Sequence, residues 1–527
     1  MKNAVNVLLL VVVFSIMASC RGYIQKQPVE PQPFSFGEFT IDQLQEGYRN
    51  GDFTVTEVVQ AYLDRINAID DNGPMLNAVI QINSEALGIA QELDKEMKEG
   101  KLRGPMHGVP VLLKDNIDTH DQMETTAGSR ALAGSHPLKD SDVASRLREA
   151  GAVIIGKANL SEWANFRGYL SSSGWSGAGG QTKNPYILDR NPCGSSSGSG
   201  AGVSANLCII AIGTETNGSI VCPSTANGIV GIKPTVGLLS RSGIIPISFT
   251  QDTPGPMARS VRDAATALGV MTGVDPDDSK TLASEGKSFT DYTQFLKEDG
   301  LRGKRIGWYT SARGTHFKVD SLMQKAVDFI RSQGAEVVEI ERIYSSEVEA
   351  LSFEVMLYEF KDGLNKYFAS LGEGARVKSL EELIAFNISD TVELLHYNQQ
   401  LLIEAQKKGG IDSKEYLDAV AKMKNLTGRE GIDRVMDENR LDAFIAPTGS
   451  PAWKTDLVNG DAYTVSSSSP AAISGYPAIT VPMGFIDGLP VGISFFGREW
   501  SEPVLLGIAY SYETGTGHRR APAFLAE

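Results

Sequence analysis

The alternation of apolar and polar residues predicts several regular elements along the chain. Apolar residues recur at spacings of three and four from Val55 to Ile69, which is typical of a helix with one buried face. Thr54 and Glu57 form a capping box, so we expect the helix to begin there. A shorter pattern of the same kind predicts a helix over residues 141–149.

Short apolar runs bounded by glycine or charged residues predict buried strands. One run covers residues 109–113 and ends at Lys114, and another covers residues 152–155 after a glycine. Three further runs predict strands over residues 443–446, 478–481 and 491–496. Because helices and strands follow each other with glycines between them, the pattern indicates an α/β fold with a largely parallel sheet.

The segment 287–440 differs from its surroundings. It is rich in Glu, Lys and Leu, and its apolar spacing is mostly helical. Because strand-like runs resume after it, we interpret the segment as a helical elaboration on one sheet-based domain. We therefore expect a single domain over residues 37–527, although domains of ~150 residues are the commoner size.

The first residues predict an export signal. Lys2 precedes an apolar run over residues 7–18, and about twelve residues are too few to span a bilayer. Small residues end the run and Cys20 follows, which resembles a bacterial lipoprotein signal over residues 1–19. We expect a lipidated Cys20, a proline-rich tether over residues 20–36, and a location in the cell envelope on a membrane lipid anchor. The alternative is an ordinary cleaved signal with an incidental cysteine.

Composition excludes several classes of protein. The 527 residues include 49 Lys and Arg against 64 Asp and Glu, a formal net charge of −15. A nucleic-acid partner would require a basic stripe, which is not evident here. The 4 cysteines are too few for a disulfide framework. We interpret Cys193, Cys208 and Cys222 as small buried apolar residues.

The richest signal is a glycine- and serine-rich region over residues 191–235. In isolation the run resembles a flexible linker, but it lies between a predicted helix over residues 201–206 and a predicted strand over residues 208–213. A helix leading away and a strand returning would bring the turns at Ser195 and Ser219 to one sheet edge. Pro223 suits the first turn of a following helix, whose free N–H groups would stabilise an oxyanion near Ser219.

A serine nucleophile needs a base, and two alternatives are open from the residues alone. A Ser-His-Asp triad would use one of 6 histidines, several of which have loop-like neighbours. The other candidate is Lys114, at the end of a predicted strand. A lysine base must be neutral at the working pH, which requires burial. The apolar run before Lys114 makes burial possible, but taken alone the residue is more typical of a solvated lysine paired with Asp115.

Several ordered segments resemble the amidase signature family. The glycine-serine region contains CGSSSGSGAG, GTETNGSIVCPS and GIVGIKPT with the family spacing. The upstream GVPVLLKDNID is similar to the family's lysine-bearing strand. The later segments GLLSRSGIIPISFTQDTPGPMARSVRDAA and AAISGYPAITVPMGF also resemble it. The resemblance implies one large α/β/α domain with a mixed central sheet and a Ser–cisSer–Lys triad.

Matched residue by residue, the resemblance assigns roles in a proton relay. Ser219 falls on the nucleophile, Ser195 on the bridging serine and Lys114 on the base. The backbone N–H groups of an oxyanion hole fall on Thr216, Asn217, Gly218 and Ser219. The implied reaction is hydrolysis of a linear amide through an acyl-enzyme, without metal or organic cofactor.

One position departs from many family members, which have arginine two residues after the nucleophile where this chain has Val221. The segment around it looks most like the bacterial peptide-amidase branch, whose members hydrolyse the C-terminal amide of peptides. A small-molecule or peptide amide is therefore the expected substrate, and no obligate protein partner is evident.

Three other functions remain as alternatives. Residues 194–198 match GxSxG, the nucleophile elbow of α/β-hydrolases, with Ser196 as nucleophile, but a proline-rich loop precedes them where a strand is required. The tRNA amidotransferase subunit of the same family works with ATP, tRNA and partner subunits, which an export signal argues against. A non-catalytic peptide-binding lipoprotein is the third.

Overall fold

A computed structural model describes residues 34–372 and 374–527. The predicted signal, Cys20 and nearly all of the tether lie outside the described residues. Within those two ranges, no helix combines the length and the apolar character that crossing a bilayer requires.

An 11-stranded mixed sheet forms the centre of the fold, in the order β1-β3-β2-β6-β8-β7-β12-β13-β11-β9-β10. The strands β1 to β7 are Val79–Ile82, Pro110–Lys114, Val153–Ala158, Trp175–Ser176, Gly180–Gln181, Ile210–Glu215 and Val230–Lys233. The strands β8 to β13 are Thr253–Ala258, Arg305–Tyr309, Glu336–Ile340, Ala443–Pro447, Ala478–Ile486 and Leu489–Phe496. A separate two-stranded ribbon is formed by β4 and β5.

Helices cover this sheet. The first eight, α1 to α8, are Ile41–Asn50, Val55–Ile66, Ala86–Lys98, Asp142–Glu149, Ser197–Ser204, Val221–Ala226, Val261–Met271 and Phe317–Ser332. The others, α9 to α15, are Glu347–Ser370, Leu380–Ser389, Gln400–Gln406, Lys414–Lys424, Arg434–Asn439, Ser469–Ser474 and Glu502–Thr516. Short 3₁₀ or π segments cover Asn67–Asp71, Arg130–Leu132, Glu162–Asn165, Ser279–Ser284, Thr293–Phe295 and Asn425–Asp433.

The predicted helix behind Thr54 is present with its capping box. The Thr54 hydroxyl accepts from the N–H of Glu57, whose carboxylate accepts from the N–H of Thr54. The side chains at the predicted apolar spacing are buried, as that spacing requires. The α-helix ends at Ile66, and a π-helical turn carries the chain on past Ile69.

The sheet is less parallel than the order of elements predicted. Strands β3, β2 and β6 are parallel, and so are β10, β9 and β11. The strands between these two groups are antiparallel, because β12 and β13 form a hairpin and β8 runs against both β6 and β7. A prediction of a largely parallel sheet was therefore wrong, and the mixed sheet implied by the family resemblance is present.

The segment 287–440 contains two strands as well as helices. Strand β9 pairs in parallel with β10 and with β11, so this part of the segment extends the central sheet. The helices α9 to α11 instead build a separate apolar cluster with the loop around Trp163. The segment thus contributes both to the sheet and to a helical layer beside it.

The pairing of β2 with β6 positions the candidate site. The two strands are parallel, with Leu113 opposite Ile212, so their C-terminal ends meet at the same edge of the sheet. Lys114 ends β2 and Glu215 ends β6. The loops that follow each strand therefore start side by side.

Candidate active site

Lys114 lies completely buried at the end of β2. Its Nζ donates to the hydroxyl of Ser195 at 2.7 Å and to the hydroxyl of Thr214 at 2.8 Å. It also lies 3.2 Å from the carbonyl oxygen of Thr214. The amide of Asn116 donates to the same Thr214 hydroxyl at 3.0 Å. Short polar contacts therefore hold the lysine in one place, and no carboxylate among the described residues contacts it directly.

Burial lowers the pKa of Lys114 to about 7. The carboxylates of Asp252 and Glu215 oppose this shift, because their negative charges favour the ammonium form. A pKa near 7 lets the amine lose its proton at neutral pH. The side chain thus meets the requirement for a general base, and a solvated lysine paired with Asp115 is excluded by its burial.

Ser195 follows a cis peptide bond from Gly194, as the family resemblance implied. A side chain at Gly194 would overlap the hydroxyl of Ser161, so only glycine fits between these segments. The N–H of Ser196 donates to the carbonyl oxygen of Ser219 at 3.2 Å. The turns at Ser195 and Ser219 therefore meet at one sheet edge, as predicted.

Ser219 faces a cleft of about 380 Å³. Its exposed fraction is 9%, and its hydroxyl makes no hydrogen bond with any described residue. Within residues 34–372 and 374–527, the hydroxyls of Ser195 and Ser219 likewise form no hydrogen bond with each other. The structure thus contains the Lys114–Ser195 link and an unpartnered hydroxyl beside it.

The carboxylate of Glu215 organises the loop that carries Ser219. It accepts from the N–H of Gly218 at 2.8 Å, of Ile220 at 2.8 Å and of Val221 at 3.0 Å. Gly218 has a φ of 87°, which is the left-handed conformation that favours glycine. Three donors converging on one carboxylate hold the loop in a tight turn.

This arrangement corrects the predicted oxyanion hole. The N–H of Gly218 is engaged by Glu215, and the first N–H groups of α6 are not free beside Ser219. Among the described residues, the N–H groups of Thr216, Asn217 and Ser219 have no hydrogen-bond acceptor. Pro223 does lie in the first turn of α6, as predicted.

Asp252 holds the other end of the loop. It accepts from the hydroxyl of Thr216 at 2.5 Å and from the N–H groups of Ile247 and Ser248, each at 2.8 Å. Burial raises the pKa of Asp252 to about 6. Thr214, Asn116, Glu215 and Asp252 were all missed from sequence, because their roles depend on which strand ends lie side by side.

Cys193 and Cys222 form a disulfide, with Cα atoms 5.9 Å apart. The interpretation of these two as unbridged apolar residues was therefore wrong, whereas Cys208 is a free buried cysteine as expected. The bridge joins the segment before Ser195 to the helix after Ser219, across 29 positions of sequence. Both half-cystines line the cleft.

Ser196 lacks the surroundings of a nucleophile. Its hydroxyl is fully buried, donates to the carbonyl oxygen of Thr214 at 3.1 Å and accepts from the N–H of Thr214 at 3.2 Å. The side chains of His107, His120 and His136 form their hydrogen bonds with backbone groups, and none of these bonds involves Ser196. The nucleophile-elbow alternative is not supported by this geometry.

Comparisons with known proteins show the family of this chain. The Amidase family model matches residues 57–506. The chain belongs to the amidase signature family. A probable amidase of Arabidopsis thaliana is 42% identical over 504 residues, covering 94% of this chain and 93% of that protein.

Two solved structures extend the likeness to the whole fold of this amidase. The native peptide amidase of Stenotrophomonas maltophilia is 48% identical, with a TM-score of 0.88, over 93% of this chain and 100% of that one. A peptide amidase in complex with the competitive inhibitor chymostatin is 49% identical, with a TM-score of 0.90 and the same coverage. The protein is thus a hydrolase of C–N bonds in linear amides.

Replacing Glu215 with glutamine is expected to lower kcat by about 10- to 100-fold with a smaller change in KM, because each hydrogen bond to a charged acceptor contributes roughly 1.5–3 kcal/mol. Separate kcat and KM values, with circular dichroism to confirm folding, test this. Removing the charge should also move the acid limb of the pH profile to lower pH, since Glu215 raises the pKa of Lys114. A rise in KM at unchanged kcat would contradict the positioning role.

Breaking the disulfide is expected to destabilise the amidase. Replacing both Cys193 and Cys222 with serine should lower the free energy of unfolding by roughly 3–4 kcal/mol, the chain-entropy value for a loop of about 30 residues. The denaturant midpoint measures the loss. Reductant should lower the midpoint of the wild type and leave that of the double variant unchanged. Equal midpoints of oxidised and fully reduced wild type would refute the expectation.

Proposed function

We propose that this amidase hydrolyses the C-terminal amide of peptides through an acyl-enzyme formed on Ser219. The observation that carries the proposal is the buried Lys114 amine bonded to Ser195, beside an unpartnered Ser219 hydroxyl in a cleft. The likeness to solved peptide amidases supports the choice of substrate.

The proposed acylation starts from neutral Lys114. The amine accepts the proton of the Ser195 hydroxyl while Ser195 accepts the proton of Ser219. The Ser219 oxygen attacks the amide carbon, and the carbonyl oxygen takes up the negative charge. The free N–H groups of Thr216, Asn217 and Ser219 are the donors proposed for that oxyanion, and one such donor contributes roughly 3 kcal/mol in measured cases.

The leaving group departs as ammonia. Ser195 returns a proton to the amide nitrogen as the C–N bond breaks, and Lys114 passes its proton back to Ser195. Water then attacks the acyl-enzyme by the same relay and releases the carboxylic acid. The balance is one amide and one water consumed, and one acid and one ammonia formed. No step in this sequence requires a metal or an organic cofactor.

The cleft suits the end of a peptide. Its volume of about 380 Å³ falls within the usual range for small-molecule sites. Phe166, Met356 and Tyr463 provide apolar surface, while serines and Asn217 provide polar contacts. This mixture fits a short chain with amide groups and varied side chains.

The experiment is ammonia release from C-terminally amidated peptides, simple aliphatic amides and aryl amides, with wild type and the Ser219→Ala variant. Release from the amidated peptides by wild type alone is the expected result. Activity confined to small aliphatic amides would overturn the peptide assignment. A serine-directed fluorophosphonate should also label Ser219 in the folded protein, and no adduct there would favour a binding-only lipoprotein.

We further propose that the protein is exported and anchored through a lipid on Cys20. The predicted signal over residues 1–19 supports this, and so does the disulfide, since such bonds persist mainly in oxidising compartments. Palmitate labelling of cells should reach the wild type and be lost in Cys20→Ala. Labelling that persists in the variant would remove the anchor.

A further inference from the structure

The cleft around Ser219 contains two carboxylates, those of Glu349 and Asp461. No lysine, arginine or histidine is among the described residues that line it. Neither carboxylate forms an ion pair with any side chain in residues 34–372 and 374–527. The same cavity contains the unpartnered Ser219 hydroxyl, which points to a substrate there.

Glu349 lies on the wall formed by α9 and the start of α14. The hydroxyl of Ser469 donates to its carboxylate at 3.4 Å, and the amide of Asn217 donates to Ser469 at 3.1 Å. Two hydrogen bonds therefore connect Glu349 to the loop of the nucleophile. Tyr344 donates to its other oxygen at 2.9 Å. Glu349 is exposed, and each of its oxygens retains a lone pair for a ligand.

Asp461 lies elsewhere in the lining of the cleft, close to the turn that carries Ser195. It accepts from the N–H of Ser173 at 2.9 Å and from the hydroxyl of Ser173 at 2.5 Å. Trp453 and Asn191 also donate to it, at 3.2 and 3.4 Å. Burial raises the pKa of Asp461 above its ordinary value, and the hydrogen bonds from Ser173 and Trp453 oppose that shift because they favour the ionised form. Ser173 in turn packs against Gly194.

We propose that this cleft selects cationic amides, with Glu349 and Asp461 in its lining as specificity-determining residues. The inference rests on the proposed function and adds the charge of its substrate. A cavity with low-dielectric walls and charges of one sign concentrates ligands of the opposite sign. The favoured substrates carry an ammonium or guanidinium group close to the scissile amide.

The positive charge of a peptide amide can lie on a side chain or on the amino terminus. Two pairs of substrates distinguish these two positions. For the side chain, N-acetyl-lysinamide is compared with N-acetyl-norleucinamide, which has nearly the same shape without the charge. For the amino terminus, glycyl-norleucinamide is compared with its N-acetylated form. We expect kcat/KM to be about tenfold higher for the cationic member of at least one pair, and the ratio to fall with added salt.

The variant Glu349→Gln should lower the ratio of kcat/KM for the cationic substrate to kcat/KM for its neutral partner severalfold. Glu349→Lys should lower this ratio further. Glu347→Gln is the matched control. Glu347 lies on α9 two residues before Glu349, and it forms an ion pair with Lys422 outside the cleft. It should leave the ratio unchanged. Asp461→Asn tests the second carboxylate. If Asp461→Asn folds poorly, the Glu349 variants still provide the test, because Glu349 is exposed.

Ratios near one for both pairs would overturn the inference while leaving the proposed function intact, since the neutral amides would still be hydrolysed. Ratios that Glu349→Gln and Asp461→Asn leave unchanged would overturn the assignment to these residues. Absence of ammonia from all four substrates would count against the proposed function itself, and against this inference with it.

Discussion

Replacing Ser219 with alanine is expected to lower kcat for amide hydrolysis by about 10⁶-fold, as the loss of the nucleophile does in another serine hydrolase. The variant keeps the fold, because the lost hydroxyl makes no hydrogen bond with the described residues. Ammonia release under single-turnover conditions measures the effect. Substrate binding should change little, since the cleft and its other polar groups remain.

Ser196→Ala provides the discriminating control. Both serines belong to the same signature region, but within the described part of the chain the Ser196 hydroxyl bonds only to the backbone of Thr214. Its loss should reduce stability and leave far more activity than the loss of Ser219. If instead Ser196→Ala were inactive while Ser219→Ala retained activity, Ser219 would not be the nucleophile, and the nucleophile-elbow alternative would return.

Much of the site was accessible from sequence because it lies at strand ends. The apolar run before Lys114 predicted a buried strand, and the glycine-serine region predicted two turns separated by a helix and a strand. These two facts suffice to bring Ser195 and Ser219 together. The role expected for Lys114 came from the family resemblance, since the residues alone also allowed a solvated lysine.

The residues that hold the loop were not predictable in the same way. Glu215 carries no local signal, because its three donors reach it only after the chain turns back on itself. Asp252 reaches Thr216 only because β8 runs antiparallel to β6. The disulfide was missed for a similar reason, since three cysteines permit several pairings and only the fold brings Cys193 to Cys222.

The sheet directions were missed although one signal was present. Asp487-Gly488 lies between two apolar runs, and both residues have positive φ, of 50° and 82°. This pair is a strong indicator of a tight hairpin, which requires antiparallel strands. The alternation of helices and strands elsewhere favoured a parallel sheet. In the C-terminal part of the chain, the hairpin signal between β12 and β13 is therefore a better guide to strand direction than the alternation of helices and strands.

The second large effect is expected from protonation of Lys114. Its pKa of about 7 predicts that kcat/KM falls tenfold for each pH unit below that value, because only the neutral amine accepts a proton. Above it the rate should reach a plateau. Lys114→Met should lower kcat by about 10²–10⁴-fold, the usual contribution of a general base, and should abolish the acid limb. Lys114→Arg should be equally inactive, since guanidinium stays protonated.

Asp252→Asn separates Lys114 from the other buried group that titrates nearby. Burial raises the pKa of Asp252 to about 6, so its own titration would also produce an acid limb. If Lys114 is the titrating base, removing the negative charge of Asp252 lowers the pKa of the lysine, and the limb moves to lower pH. If Asp252 is the titrating group, the limb disappears in Asp252→Asn. The direction of that change therefore decides which buried group controls the activity, and a lost limb would refute the lysine relay.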